Sequence, residues 1–118
     1  MTIAATTLDL SKIRVSPLPS KESVKRFSCG EREIDSWVAA KAAKWTEQHR
    51  TRVFIAHLDG NPSALGFYSL TFATEDGSKL SDQRYREIYK PSGVPLVYLH
   101  FLGVQRTNQR CGLGTLLL

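Results

Sequence analysis

The last 24 residues, PLVYLHFLGVQRTNQRCGLGTLLL (residues 95–118), constrain the fold most. Leu96 through Val104 form a nearly unbroken apolar and aromatic run, which predicts a strand buried on both faces. Residues 105–110 are polar and basic. From Cys111 a second apolar segment begins, with Gly112 and Gly114 at its mouth. The order is strand, glycine-bearing loop, helix start.

That order suits an anion. The first N–H groups of a helix lack intrahelical partners and sit at the positive end of the helix dipole. Successive unpaired N–H groups form a phosphate site, and glycines let the ligand reach the backbone. Arg106 and Arg110 add charge on the rim, so residues 109–114 read as a pyrophosphate cradle. The spacing fits neither a dinucleotide fingerprint nor a P-loop, because a third glycine and a Gly-Lys-Ser/Thr are both missing. A flexible tail or a helix C-cap would explain the two glycines equally simply.

The segment Gln109-Arg110-Cys111-Gly112-Leu113-Gly114 resembles the Q/R-x-x-G-x-G/A motif of the GNAT superfamily of acyl-CoA-dependent N-acetyltransferases, and it follows a strand ending in Leu102-Gly103-Val104. The phrase FSCGEREIDSWV (residues 27–38) and the run GFYSLTFAT (residues 66–74) resemble the branch that holds the acetyltransferase toxins of bacterial toxin–antitoxin pairs.

The resemblance implies an α+β fold: a mixed, mostly antiparallel central sheet flanked by helices, truncated after the start of the coenzyme A-binding helix. Residues 1–118 would be the N-terminal portion of one such domain. The implied reaction is acetyl transfer from acetyl-CoA to a primary amine, with aminoacyl-tRNA as the acceptor in a toxin. The implied cofactor contacts are Leu102 and Val104 on the strand, which pair with the pantetheine arm. Gln109, Arg110, Cys111, Gly112, Leu113, Gly114 and Thr115 would hold the pyrophosphate. The tyrosine that protonates the leaving thiolate in the family would lie beyond Leu118. The implied partners are a ribbon-helix-helix antitoxin and a second copy in a homodimer. A scaffold that binds coenzyme A or protein without catalysis, and a basic RNA-binding protein, are the competing readings.

Composition agrees with one small domain. The chain has 118 residues, 42% of them hydrophobic and 23% charged. No apolar run approaches the roughly 20 residues of a membrane span. The N-terminus has neither a basic start nor a long apolar core, so a cytoplasmic location is expected. Sixteen basic against 11 acidic residues give a net charge of +5, spread along the chain. Such a surface suits polyphosphate cofactors and nucleic acid alike. The two cysteines, Cys29 and Cys111, are too few for a disulfide scaffold or a zinc site, and no metal is expected.

Upstream, residues 13–18 alternate and predict an edge strand closed by Pro17 and Pro19. Residues 21–27 read as a polar connection. Residues 28–48 predict one helix, with a Ser28/Glu31 capping box and an apolar stripe through Ile34, Trp37, Val38, Ala42 and Trp45. Residues 53–58 and 64–72 predict a hairpin around Asp59-Gly60-Asn61-Pro62. Residues 76–93 are a polar excursion with a short helix capped by Ser81. Its Tyr85, Ile88 and Tyr89 share a face. His57 reads as structural. His100, on the central strand, is the candidate general base, since a histidine titrates near working pH.

Overall fold

The computed structural model describes residues 8–118. Four antiparallel strands run in the order β1 (Ile13–Pro17), β2 (Arg52–Leu58), β3 (Gly66–Glu75) and β4 (Val94–Val104). The Asp-Gly-Asn-Pro turn joins β2 to β3 as expected, with Gly60 at φ +80°. Residues 1–7 lie outside the described residues. Leu10–Lys12 form a 3-10 turn capped by Asp9, whose side chain accepts from the Ser11 N–H.

The helix expected over 28–48 is two helices. α1 (Arg32–Ala40) and α2 (Ala42–Glu47) meet at Lys41, whose backbone leaves the helical region at φ −127°. The apolar stripe continues across the break, because Trp37, Val38 and Ala42 are all buried against Val53, Ile55 and Phe67 of the sheet. Periodicity alone therefore could not reveal it. No Ser28/Glu31 capping box forms: Glu31 is the N-cap residue and makes no side-chain cap bond. The connection 21–27 is less polar in effect than in composition. A 3-10 turn (Lys21–Val24) buries Ser23 and Val24, and Phe27 packs edge-on to Phe67 at 5.2 Å.

α3 (Gln83–Tyr89) forms where the short helix was expected, but Asp82, not Ser81, caps it. The Asp82 carboxylate accepts from the Arg84 N–H at 2.9 Å, the shorter reach an Asx cap favours. Tyr85 and Ile88 are exposed rather than anchored. α4 (Leu113–Leu117) packs Leu113 and Leu117 on Ile13, Ala56 and Val104 on the other side of the sheet. Gly66 allows this close approach, since a Cβ there would meet Leu117 at 3.1 Å and Leu113 at 3.3 Å.

β4 is not buried on both faces. It is an edge strand among the described residues, and Val97, Tyr98 and Leu99 are 58%, 44% and 49% exposed. Alternation and register put Val15, Phe54, Tyr68, Leu70, Phe72, Val97 and Leu99 on the same face as Ala56. α4 covers one end of that face. The apolar run was therefore a sound strand signal but a poor guide to burial.

Gly103 has a packing reason to be glycine. A Cβ there would lie 2.8 Å from Phe67 and 3.2 Å from Phe27. Gly103→Ala should destabilise the fold by about 1–3 kcal/mol through overpacking. A lower urea midpoint with unchanged slope checks this, and an unshifted midpoint contradicts it.

Candidate active site

The loop after β4 is laced to the loop before α1. The Ser28 N–H donates to the Gln105 side-chain oxygen at 3.0 Å, and the Arg106 N–H donates to the Ser28 carbonyl at 2.8 Å. The Gln109 amide donates to the carbonyls of Cys29 at 2.7 Å and Val104 at 3.1 Å. These three residues belong to the polar, basic stretch 105–110, where the sequence pointed to ligand contacts by Arg106 and Gln109 and not to bonds within the protein. Within it, a 3-10 turn (Arg106–Asn108) buries Asn108.

The other side of the lacing is held by Asp35 from inside α1. Its carboxylate accepts from the Cys29 N–H at 2.8 Å, the Ser28 hydroxyl at 3.2 Å and the Gly30 N–H at 3.3 Å. Burial works against its charge, but these bonds outweigh burial and hold the carboxyl below its ordinary value. Gly30, at φ +93°, turns the chain here, with the Arg106 guanidinium 3.3 Å from where its Cβ would be. Asp35 stands in the first turn of α1, where an acid is common for the helix dipole alone. The spacing from Ser28 to Asp35 was the available signal for its role.

The loop then makes two left-handed steps, Arg110 at φ +63° and Gly112 at φ +83°. A non-glycine residue in that region is uncommon and marks a shaped loop. α4 begins directly afterwards, so the N–H groups of Leu113, Gly114 and Thr115 precede the first intrahelical bond, Leu116 N–H to the Gly112 carbonyl at 3.1 Å. Among the described residues outside its chain neighbours, Leu10 Cδ1 alone comes within 4 Å of a Cβ placed on Gly112, at 3.5 Å. The predicted cradle residues Gln109 to Thr115 thus lie in one turn beside the end of β4, where Leu102 and Val104 also sit. The Gln109 side chain is committed to the lacing, which leaves its backbone for any ligand.

His100 lies further back on β4, at a one-residue bulge. Ser69 pairs with Phe101 and Leu70 with Leu99, so His100 has no partner in the register. The Phe101 N–H donates instead to the hydroxyl of the fully buried Ser69 at 3.1 Å. The bulge puts the exposed His100 ring edge-on to Trp37 at 5.3 Å, among Trp45 and Phe101. Trp37 is buried, and its indole N–H has no hydrogen-bond partner among the described residues, a cost of about 1–3 kcal/mol. Neither the bulge nor this cluster was visible in sequence.

His57 is structural, as expected. Its Nδ1 lies 2.9 Å from the Leu58 carbonyl and 3.1 Å from the Asn61 carbonyl, so Nδ1 carries the proton. Nε2 then accepts from the Ser16 hydroxyl at 3.0 Å. No group of three or more His, Cys, Asp or Glu side chains among the described residues could hold a metal. No helix among them is long and apolar enough to cross a membrane.

With this geometry, the expected α+β fold, helices on an antiparallel sheet, is borne out and matches solved toxin structures. The chain is 31% identical over 97 residues, 82% of its length, to a tRNA-acetylating toxin of Mycobacterium tuberculosis. It superposes on a KacT mutant (TM-score 0.71, 19% identity, 90% of this chain and 64% of that one). It also superposes on AtaT complexed with acetyl-methionyl-tRNAfMet (TM-score 0.69, 19% identity, 89% and 64%). A third match is AtaTR bound with AcCoA (TM-score 0.66, 20% identity, 92% and 61%). The chain spans 56% of the curated toxin's length. No protein-family model matches it.

Two outcomes follow from the lacing. Asp35→Asn should lower stability, and the wild type should lose the Asp35 contribution in acid. A carboxyl depressed in the fold stabilises fully above its unfolded value, about 3.9, and the contribution fades as pH falls from there through the lower folded value. Urea midpoints of both proteins between pH 6 and 2.5 should therefore converge; parallel curves would contradict the role. Separately, burial pushes the Cys29 thiol up and leaves it 8% exposed, whereas Cys111 is half-buried. Iodoacetamide at pH 8 should label Cys111 well before Cys29, as read by peptide mass; the reverse order would contradict the placement.

Proposed function

We propose that the chain supplies the cofactor-binding half of an acetyl-CoA-dependent N-acetyltransferase whose acceptor is a primary amine, that of an aminoacyl-tRNA in a toxin. The observation that carries the reading is the left-handed turn at Arg110–Gly112, fixed to the end of β4 and followed at once by a helix start. The relatives support it: one is described as tRNA-acetylating, one is complexed with an acetylated tRNA and one is bound with AcCoA.

In this reading the backbone N–H groups of residues 111–115 hold the pyrophosphate. The backbone of Leu102 and Val104 aligns the pantetheine arm as an added strand. The amine attacks the thioester carbonyl directly, the new C–N bond forms, and the C–S bond breaks to release the thiolate. The chain contributes positioning, which turns a bimolecular encounter into an effectively unimolecular step. In this reading His100 takes the proton from the ammonium; its exposure at the bulge supports that role. A ribbon-helix-helix antitoxin is the proposed partner, and the cytoplasm the proposed location.

A second reading has its own support. The chain covers 56–64% of the relatives' lengths, and one sheet face is largely uncovered, with Phe72 and Val97 more than half exposed. Residues 1–118 then form the N-terminal portion of the domain, which binds coenzyme A without turning it over.

Calorimetry with acetyl-CoA separates these readings from a protein with no cofactor. Binding should be lost in Gly112→Trp but largely kept in Gly112→Asn, because Asn tolerates the left-handed backbone. Equal loss in both would point to backbone damage, and absence of binding to the wild type would remove both readings. Thiol release with an aminoacyl-tRNA acceptor then selects the enzyme over the binding module.

A further inference from the structure

We propose that the cleft between the 3-10 turns Lys21–Val24 and Arg106–Asn108 is a second anion site, which takes a small phosphomonoester. The site goes beyond the acetyl-transfer reading. None of its lining residues belongs to the cradle at 109–115 or to the aromatic cluster around His100.

The cleft has a volume of about 470 Å³. Ordinary small-molecule sites run from roughly 300 to 1,000 Å³, so it suits a compact ligand rather than a polymer. Its walls come from three parts of the chain. The Ala64 N–H donates to the Ser23 carbonyl at 2.8 Å, and the Gln105 N–H donates to the Leu65 carbonyl at 2.7 Å. These bonds tie both 3-10 turns to the β2–β3 connection, so the walls stand before any ligand arrives.

The polar groups that line the cleft are unspent. Ser23 and Asn108 are 7% and 6% exposed, so both are more than nine-tenths buried. The Ser23 hydroxyl has no hydrogen-bond partner among the described residues. The Thr107 hydroxyl donates to Asn108 Oδ1 at 3.2 Å, which leaves Asn108 Nδ2 with no acceptor among them. Gln105 repeats the pattern. Its Oε1 accepts from the Ser28 N–H at 3.0 Å, and its Nε2 makes no bond among the described residues. At the mouth, the exposed Arg26 joins no ion pair among them. Lys25 lies 3.8 Å from the Glu22 carboxylate, so that pair is neutral as a whole and Arg26 sets the charge.

The chemistry of the ligand follows. Asn108 Nδ2, Gln105 Nε2 and the Arg26 guanidinium are donors without acceptors, so the ligand is rich in acceptors and negatively charged. A phosphomonoester has three terminal oxygens, one for each of these donor groups, whereas a carboxylate has two. The guanidinium fork also matches a pair of phosphate oxygens. Because Gln105 takes part in the lacing through Oε1, a ligand on its Nε2 restrains the same side chain.

The probe is inorganic phosphate, titrated at constant ionic strength into the isotope-labelled full chain. The side-chain amide signals of Gln105 and Asn108 should move and saturate. Arg26→Gln and Asn108→Asp should each weaken binding about tenfold, the worth of one hydrogen bond to a charged group. Asn108→Asp keeps the oxygen that accepts from Thr107 and so preserves that contact. Arg52→Gln removes a charge at the other end of β2 and should bind like the wild type. Equal binding of acetate, an equal loss in Arg52→Gln, or no saturable shift at millimolar phosphate would each overturn the site. Displacement of phosphate by acetyl-CoA would overturn it too, because the cleft would then belong to the cofactor's footprint. Signals of residues 111–115 report the cradle separately, so failure there leaves the cleft standing.

Discussion

The structure around the candidate site depends on one set of hydrogen bonds between two loops far apart in sequence. Ser28 and Cys29 supply backbone groups to Gln105, Arg106 and Gln109, and Asp35 holds Ser28, Cys29 and Gly30 in place from within α1. A loop with two left-handed residues would otherwise sample many conformations. Cross-linking it to a helix removes that freedom before any ligand arrives, and a preorganised anion site loses less on binding. The same bonds fix the distance between the loop and the end of β4, through Gln109 and the Val104 carbonyl. In the proposed reading, placement of a diphosphate and placement of an acyl group become one geometric problem.

Glycines solve the packing side of that problem in different ways. Gly66 lets α4 settle on the sheet, and Gly103 lets Phe27 and Phe67 meet beneath the loop. Gly112, at φ +83° with Leu10 Cδ1 in ordinary contact distance of a Cβ, serves the backbone turn rather than the core. Their roles cannot be told apart by composition, because each depends on which neighbour arrives from elsewhere in the chain.

Local signals were therefore the legible ones. The Asp-Gly-Asn-Pro turn, the alternation of residues 13–18 and the strand–loop–helix order at residues 95–118 each act within a few residues, and each appears where expected. The Lys41 break was hidden because Ala42 and Trp45 continue the stripe of Trp37 and Val38. The depth of β4 was misjudged because an apolar run reports affinity for burial, not the presence of a cover. The Asp35 clasp, the His100 bulge and the aromatic cluster are long-range arrangements, and no residue in them is unusual by itself. Family likeness singled out residues 109–114 but not the Gln109 side chain's structural duty.

In the proposed reading, backbone N–H groups at residues 111–115, held beside Val104, grip the diphosphate of acetyl-CoA. Amide chemical shifts of the isotope-labelled chain, followed as acetyl-CoA is added, test it most directly. The largest movements should fall on Gly112, Gly114, Thr115 and Val104, with the Ser28–Gly30 amides moving little because they are already bonded within the protein. Movements confined to the α3 region or the open sheet face, or no movement at saturating acetyl-CoA, would contradict it.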